Sequence, residues 1–119
     1  MWKSFYMIVL GALLLPGAAM AINSFSLRDM PVNYMTDEDR EIFKVAVVAA
    51  LERSRDTEST RWENPKTGAH GDLVPRASFD QAGQRCRDLE VANSGRGRTN
   101  RLVVTLCKQA DGEWKAESR

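Results

Sequence analysis

Apolar and polar positions divide the chain into three stretches. Residues 5–22 contain no charge, residues 42–51 carry apolar side chains at helical spacing, and beyond residue 60 apolar positions alternate in short segments set off by Gly and Pro. The middle stretch predicts a helix over 37–53. Thr36 stands where a side-chain oxygen accepts from the free amides of a first turn, with Asp39 three residues on as an Asp variant of the capping box. Asp37, Glu38, Asp39 and Glu41 crowd the positive end of the helix dipole, and Arg53 and Arg55 lie near its negative end. Ile42, Phe43, Ala46, Val47, Ala50 and Leu51 make one stripe. Val45, Val48 and Ala49 widen it, which predicts that most of the helix is covered.

The alternating stretch predicts an antiparallel meander. Residues 60–63 form one strand, 64–68 a turn, and 70–74 a second strand ended by Pro75, which has no amide to give to a ladder. Residues 76–84 are read as a connection with a short extended piece around Phe79. Residues 85–93 and 100–108 make a hairpin around Ser94-Gly95-Arg96-Gly97. If Cys86 lies opposite Cys107, Leu89 meets Val104, Glu90 meets Val103 and Val91 meets Leu102. Leu89, Val91, Leu102, Val104 and Leu106 then share one face, with both cysteines on the other. Asp111-Gly112 turns the chain into a last strand over 113–116. A two-residue turn and a three-residue bulged turn there put Trp114 on opposite faces, so its side stays open. The expected fold is α+β: one N-terminal helix packed on four or five antiparallel strands, over the Leu/Val face.

The charge-free start changes the picture of compartment. Lys3 precedes it, Pro16-Gly17 interrupts it, and Ala19-Met20-Ala21 offers small residues where a signal peptidase reads, so residues 1–21 are read as a secretory signal peptide cleaved after Ala21. The alternative is a retained anchor, since residues 5–22 just reach the length that spans a bilayer. Residues 22–35 are expected to form an extended arm, and 36–119 the domain. In an exported chain of this size, two cysteines read as one disulfide, Cys86 to Cys107, contributing about 3 kcal/mol. From Ile22 onward 16 basic groups balance 16 acidic ones. This neutrality argues against a general nucleic-acid binder. The balance is uneven along the chain: residues 22–60 carry a net −3 and residues 61–119 a net +3.

Several short motifs occur in order: Trp62-Glu63-Asn64-Pro65-Lys66-Thr67-Gly68, Gly71-Asp72-Leu73-Val74-Pro75, Gly83-Gln84-Arg85-Cys86-Arg87, Cys107, and Asp111-Gly112-Glu113-Trp114. Over residues 37–116 the chain thereby resembles the surface-antigen domain at the C-terminus of the 17-kilodalton bacterial outer-membrane antigens. The resemblance implies an envelope protein. Relatives are commonly lipoproteins with a glycine-rich segment before this domain; the lipobox Cys and that segment are not found here, so no stable lipid anchor is expected. The resemblance carries over no catalytic residue. Without it, Asn64-Pro65 still reads as a turn opener, Gly68 as its positive-φ close, and Trp62 as a large apolar body for a small core.

Candidate chemistry is sparse. His70 and a paired Cys86 and Cys107 do not make a zinc set. Met30 and Met35 with His70 are weak candidates for Cu(I), and Ser78, His70 and Asp72 lack a nucleophile-elbow context. No cofactor, metal or enzymatic activity is expected. Arg96, Arg98 and Arg101 gather at the hairpin tip, where guanidinium groups suit a carboxylate or phosphate on an envelope partner. They join Trp62 and Trp114 as candidate interaction residues. The expected role is a non-enzymatic envelope protein acting by protein contact or assembly support, in an oligomeric state the chain leaves open. The alternative is a small secreted inhibitor of a lysozyme or protease that uses the arginine-rich tip.

Overall fold

The computed structural model describes residues 34–117. The expected signal peptide, its cleavage site and residues 22–33 of the arm lie outside them. Helix α1 (Asp37–Arg53) opens with the expected box: the Thr36 hydroxyl accepts from the Asp39 amide and the Asp39 carboxylate accepts from the Thr36 amide, both at 3.0 Å. It is followed by β1 (Thr60–Glu63), β2 (His70–Gln81), β3 (Gln84–Gly95), β4 (Arg98–Lys108) and β5 (Trp114–Glu117). These strands form one antiparallel sheet in chain order. A meander needs only short turns. Ala82-Gly83 and Arg96-Gly97 make the two tight ones, all four residues having positive φ as the right-handed twist of a hairpin requires.

Cys86 faces Cys107 and the disulfide joins them at a Cα separation of 4.0 Å, the close spacing of a non-hydrogen-bonded antiparallel pair. Leu89 pairs with Val104, Glu90 with Val103 and Val91 with Leu102, as expected. Helix α1 lies over the Leu/Val face. Phe43, Val47, Ala50 and Leu51 meet Trp62, Leu73, Leu89, Val91, Leu106 and Trp114 in one cluster.

Three features differ from expectation. β2 does not end at Pro75 but runs to Gln81, so residues 76–81 are strand rather than connection. Pro75 is tolerated because its nitrogen points toward the β1 side, opposite the chain that precedes β1, and its carbonyl on that side accepts from the Thr57 amide at 2.6 Å. A bulge between Pro75 and Ala77 follows. Second, α1 is covered on one side only. Val45 is 70% exposed, because among the described residues a single sheet packs on the helix and no second layer reaches its outer flank. Third, the tight turns leave the hairpin longer than expected, with β3 continuing to Gly95 and β4 beginning at Arg98.

Trp114 also finds its side. Gly112, at φ 90°, donates to the Gln109 carbonyl, and Lys108 pairs with Trp114, which is the three-residue bulged arrangement. The indole therefore shares the face of Leu106 and is fully buried.

Candidate functional site

Several of the motif residues make buried polar contacts between the apolar face of the sheet and the helix. Trp62, Gly71 and Asn93 lie side by side on three neighbouring strands. The Trp62 Nε1 donates to Asn93 Oδ1 at 2.9 Å, and Gly71 leaves the room for it: a Cβ there would sit 2.2 Å from Asn93 Oδ1 and 2.6 Å from the Ala92 carbonyl. The Trp62 ring packs on Phe43 at 5.5 Å between centroids.

The turn after β1 docks on the start of the helix. Asn64, buried, donates to Asp39 Oδ1 at 2.7 Å and to Glu38 Oε1 at 3.2 Å, while the Thr67 hydroxyl donates to the same Asp39 oxygen at 2.7 Å. Burial pushes the Asp39 carboxyl up. Hydrogen bonds from the Thr36 amide, Thr67 and Asn64 outweigh it and hold the pKa below the ordinary carboxylate value. Asp39 thus both caps α1 and fixes the turn.

Arg87 closes the other end of the helix. Its side chain is buried, its Nη1 donates to the Ala50 and Leu51 carbonyls at 3.2 and 2.7 Å, its Nη2 to Asp56 at 2.9 Å and its Nε to Ser78 at 2.9 Å. The last carbonyls of a helix carry negative partial charge and run short of intrahelical donors, so a guanidinium suits them; the Ala50 carbonyl also accepts from the Ser54 amide at 3.1 Å. The hydrogen bonds from Arg87 and Ser78 lower the Asp56 pKa. In the same last turn of α1, Glu52 accepts from Trp114 Nε1 at 2.9 Å and from Lys108 Nζ at 2.8 Å. Burial raises the Glu52 carboxyl, and the two donors more than offset it. Arg85 and Lys108 stand 5.9 and 6.0 Å from the Trp114 ring.

Both candidate interaction tryptophans are therefore core residues, Trp62 at 3% and Trp114 at 0% exposure. Their polar edges are satisfied inside, and neither ring offers a surface. Met35 is likewise in the core and Met30 lies outside the described residues. His70 donates through Nδ1 to the Gly68 carbonyl, and Ser78 is held by Arg87 and Asp56. His70 and Ser78 sit eight residues apart along one strand, roughly 25 Å, so they do not meet. Among the described residues no group of three or more His, Cys, Asp or Glu is placed to hold a metal ion, and no helix is long and apolar enough to cross a membrane.

The candidates that reach solvent are the arginines of the β3–β4 hairpin. Arg96, Arg98 and Arg101 are all exposed. Arg101 and Arg76 converge on Glu90, which accepts from Arg76 Nε at 2.7 Å and from Arg101. The Arg76 bond chiefly lowers the Glu90 pKa, with Arg101 adding to it. Two cations thus share one carboxylate, and Arg96 and Arg98 form no ion pair among the described residues. The tip carries surplus positive charge on a hairpin pinned at its base by the disulfide.

The residues that matter most to this arrangement and to which the sequence pattern assigns no role are Arg87, which occurs in one of the motifs, and Asn93. Their signal was parity: both fall on the face of Leu89 and Val91, where a polar side chain must find a buried partner.

Comparison with known proteins matches the same stretch. The family described as 17 kDa outer membrane surface antigen matches residues 49–115. The 17 kDa surface antigen of Rickettsia bellii (strain RML369-C) is 29% identical over 82 residues, 68% of this chain and 52% of that protein. That of Rickettsia prowazekii (strain Madrid E) is 29% identical over 80 residues, 66% and 50% of the two chains. The chain spans about half the length of these relatives. No solved structure matches. The matched residues take in the Trp62 to Gly71 clamp, the Arg87 helix anchor, the disulfide and Trp114, and the chain belongs to the 17 kDa outer membrane surface antigen family.

Proposed function

We propose that this chain is an exported, non-enzymatic cell-envelope protein that acts by contact with another envelope protein. The observation that carries the reading is where its distinctive residues go: Trp62, Asn64, Gly71, Arg87 and Trp114 are engaged in internal contacts, and the charged candidates left to solvent are Arg96, Arg98 and Arg101. A scaffold built in this way presents a surface rather than a reaction centre. Guanidinium groups on a pinned hairpin favour carboxylates, because each offers forked donors whose position is already set. Family membership supports an envelope location, in the periplasm or at the outer membrane. The reading involves no cofactor and no nucleic acid.

A second reading, a small inhibitor of an envelope hydrolase, is favoured by one feature. Arg96 sits exposed at the apex of the tip in a left-handed conformation, φ 52°, that non-glycine side chains seldom adopt. Chemical crosslinking in intact native cells, followed by capture of this chain, separates the two. Recovery of an envelope-fraction protein is the expected result. Recovery of a soluble lysozyme or protease instead, lost on Arg96→Ser with Arg98→Ser, would establish inhibition.

A further inference from the structure

The two long strands at the sides of this sheet are finished differently. β2 extends beyond β1, but its free side is blunted by Pro75, by the bulge that follows, and by residues 56–57, whose Thr57 amide and Asp56 carboxylate bond to Pro75 and Ser78. Among the described residues, β4 extends beyond β5 with none of these devices. β5 pairs only with Thr105 to Lys108, so among the described residues the stretch 98–104 has a strand neighbour on the β3 side alone.

The backbone groups on that free side follow from the hairpin. Residues flanking a two-residue turn form a hydrogen-bonded pair, here Gly95 and Arg98, and the pattern alternates from there. Thr99, Arg101 and Val103 therefore direct their N–H and C=O groups away from β3. The close Cα spacing of Cys86 and Cys107 fits the same alternation. Their side chains lie on the disulfide face, and Val103 is 60% exposed. On the helix face, Leu102 and Val104 are only half-buried.

We propose that the free edge of β4 at Thr99, Arg101 and Val103 is a strand-addition site that takes an extended acidic segment of a partner protein. The proposal rests on the interaction reading above and names its surface. Charge selects the occupant. Arg96, Arg98 and Arg101 surround the edge, and Glu90 is already shared with Arg76. A second copy centred on the same stretch would set Arg101 against its own counterpart, a like-charge cross-strand pair. An incoming strand with carboxylates on the disulfide face and apolar side chains on the helix face meets Arg101 on one side and Leu102 and Val104 on the other.

The test is amide hydrogen exchange and chemical-shift mapping of the 15N-labelled protein with a synthetic peptide, Gly-Glu-Val-Glu-Val-Glu-Val-Gly, and its Lys-for-Glu counterpart as probes. At millimolar concentration the acidic probe should shift the Thr99, Arg101 and Val103 amides and slow their exchange about tenfold, and the basic probe should not. Val103→Pro removes an outward donor and leaves the β3 ladder intact, so it should abolish the effect with Leu102 and Val104 amides still protected. Arg101→Glu should reverse the preference between probes. The proposal is overturned by shifts confined to another surface, by no shift at millimolar acidic probe, by equal response of Val103→Pro, or by edge amides already protected in the free protein. Unchanged capture of the cellular partner by Val103→Pro also overturns it while leaving the interaction reading standing. Failure of the wild-type protein to capture any envelope partner overturns that reading instead.

Discussion

Single side chains on the apolar face of the sheet settle whether helix and sheet fit together. At Gly71 the nearest obstacle to a methyl group includes a backbone carbonyl of the neighbouring strand at 2.6 Å, which has nowhere to retreat. Gly71→Ala should cost about 2–4 kcal/mol, seen as a lower urea midpoint at unchanged slope. Arg87 bonds two helix carbonyls at once, those of Ala50 and Leu51. Its replacement by Ala should cost about 3 kcal/mol, and Lys should restore little, since one ammonium does not reproduce the guanidinium fork. Polar residues such as these were only partly legible in the sequence. The alternation that placed Leu89 and Val91 inside placed Arg87 and Asn93 there too, but apart from Ser78 on the neighbouring strand their partners come from 30 or more residues away. No local pattern names such a partner.

Among the elements, those governed by local rules match expectation and those governed by neighbours do not. The helix was legible from its capping box and apolar spacing, and the hairpin register from the agreement of two cysteines with an alternating pattern. Pro75 misled because a proline stops a strand only where its missing amide is needed, and that depends on where β1 begins. Trp114 was undecided until the bulged turn fixed its parity. The β3–β4 turn supports a prediction of its own. Arg96 occupies a left-handed position that Gly or Asn takes at less strain, so Arg96→Gly should raise stability by up to about 1 kcal/mol, while Gly97→Ala should lower it by about 1 kcal/mol. Thermal or urea unfolding of the two variants reads both signs. A gain on removing Arg96 would mean that the arginine is held at the apex against its conformational preference.

For the molecule as a whole, four carboxylates are held at lowered pKa: Asp39, Glu52 and Asp56 join the helix and its exit to the sheet and the β1–β2 turn, and Glu90 joins β3 to arginines of β2 and β4. Asp39, Glu52, Asp56 and Glu90 all titrate below their ordinary values. A carboxylate with a depressed folded-state pKa stabilises fully above its unfolded value, near 4, and loses that contribution as pH falls through the folded one. Stability from this source should therefore be flat above about pH 5 and decline below about pH 4, measured as urea midpoints across pH. Removing either the Asp39 or the Asp56 side chain should shrink the decline. Candidate sites were less legible than the fold, for a physical reason. A large aromatic in a short motif reads equally as core or as contact surface, and only burial separates the two. That burial moved Trp62 and Trp114 inside and left, among the described residues, the arginine hairpin and the unpaired edge of β4 facing solvent.

The most direct measurement is a crosslinking map in intact cells, with a photoreactive residue placed singly at Thr99 or Val103 on the β4 edge, at Arg61 or Glu63 on β1, and at Val45 on the outer flank of the helix. Capture of one envelope protein from the β4 positions and not from the others is the expected result. Capture from β1 or Val45 alone, or from no position, would contradict it.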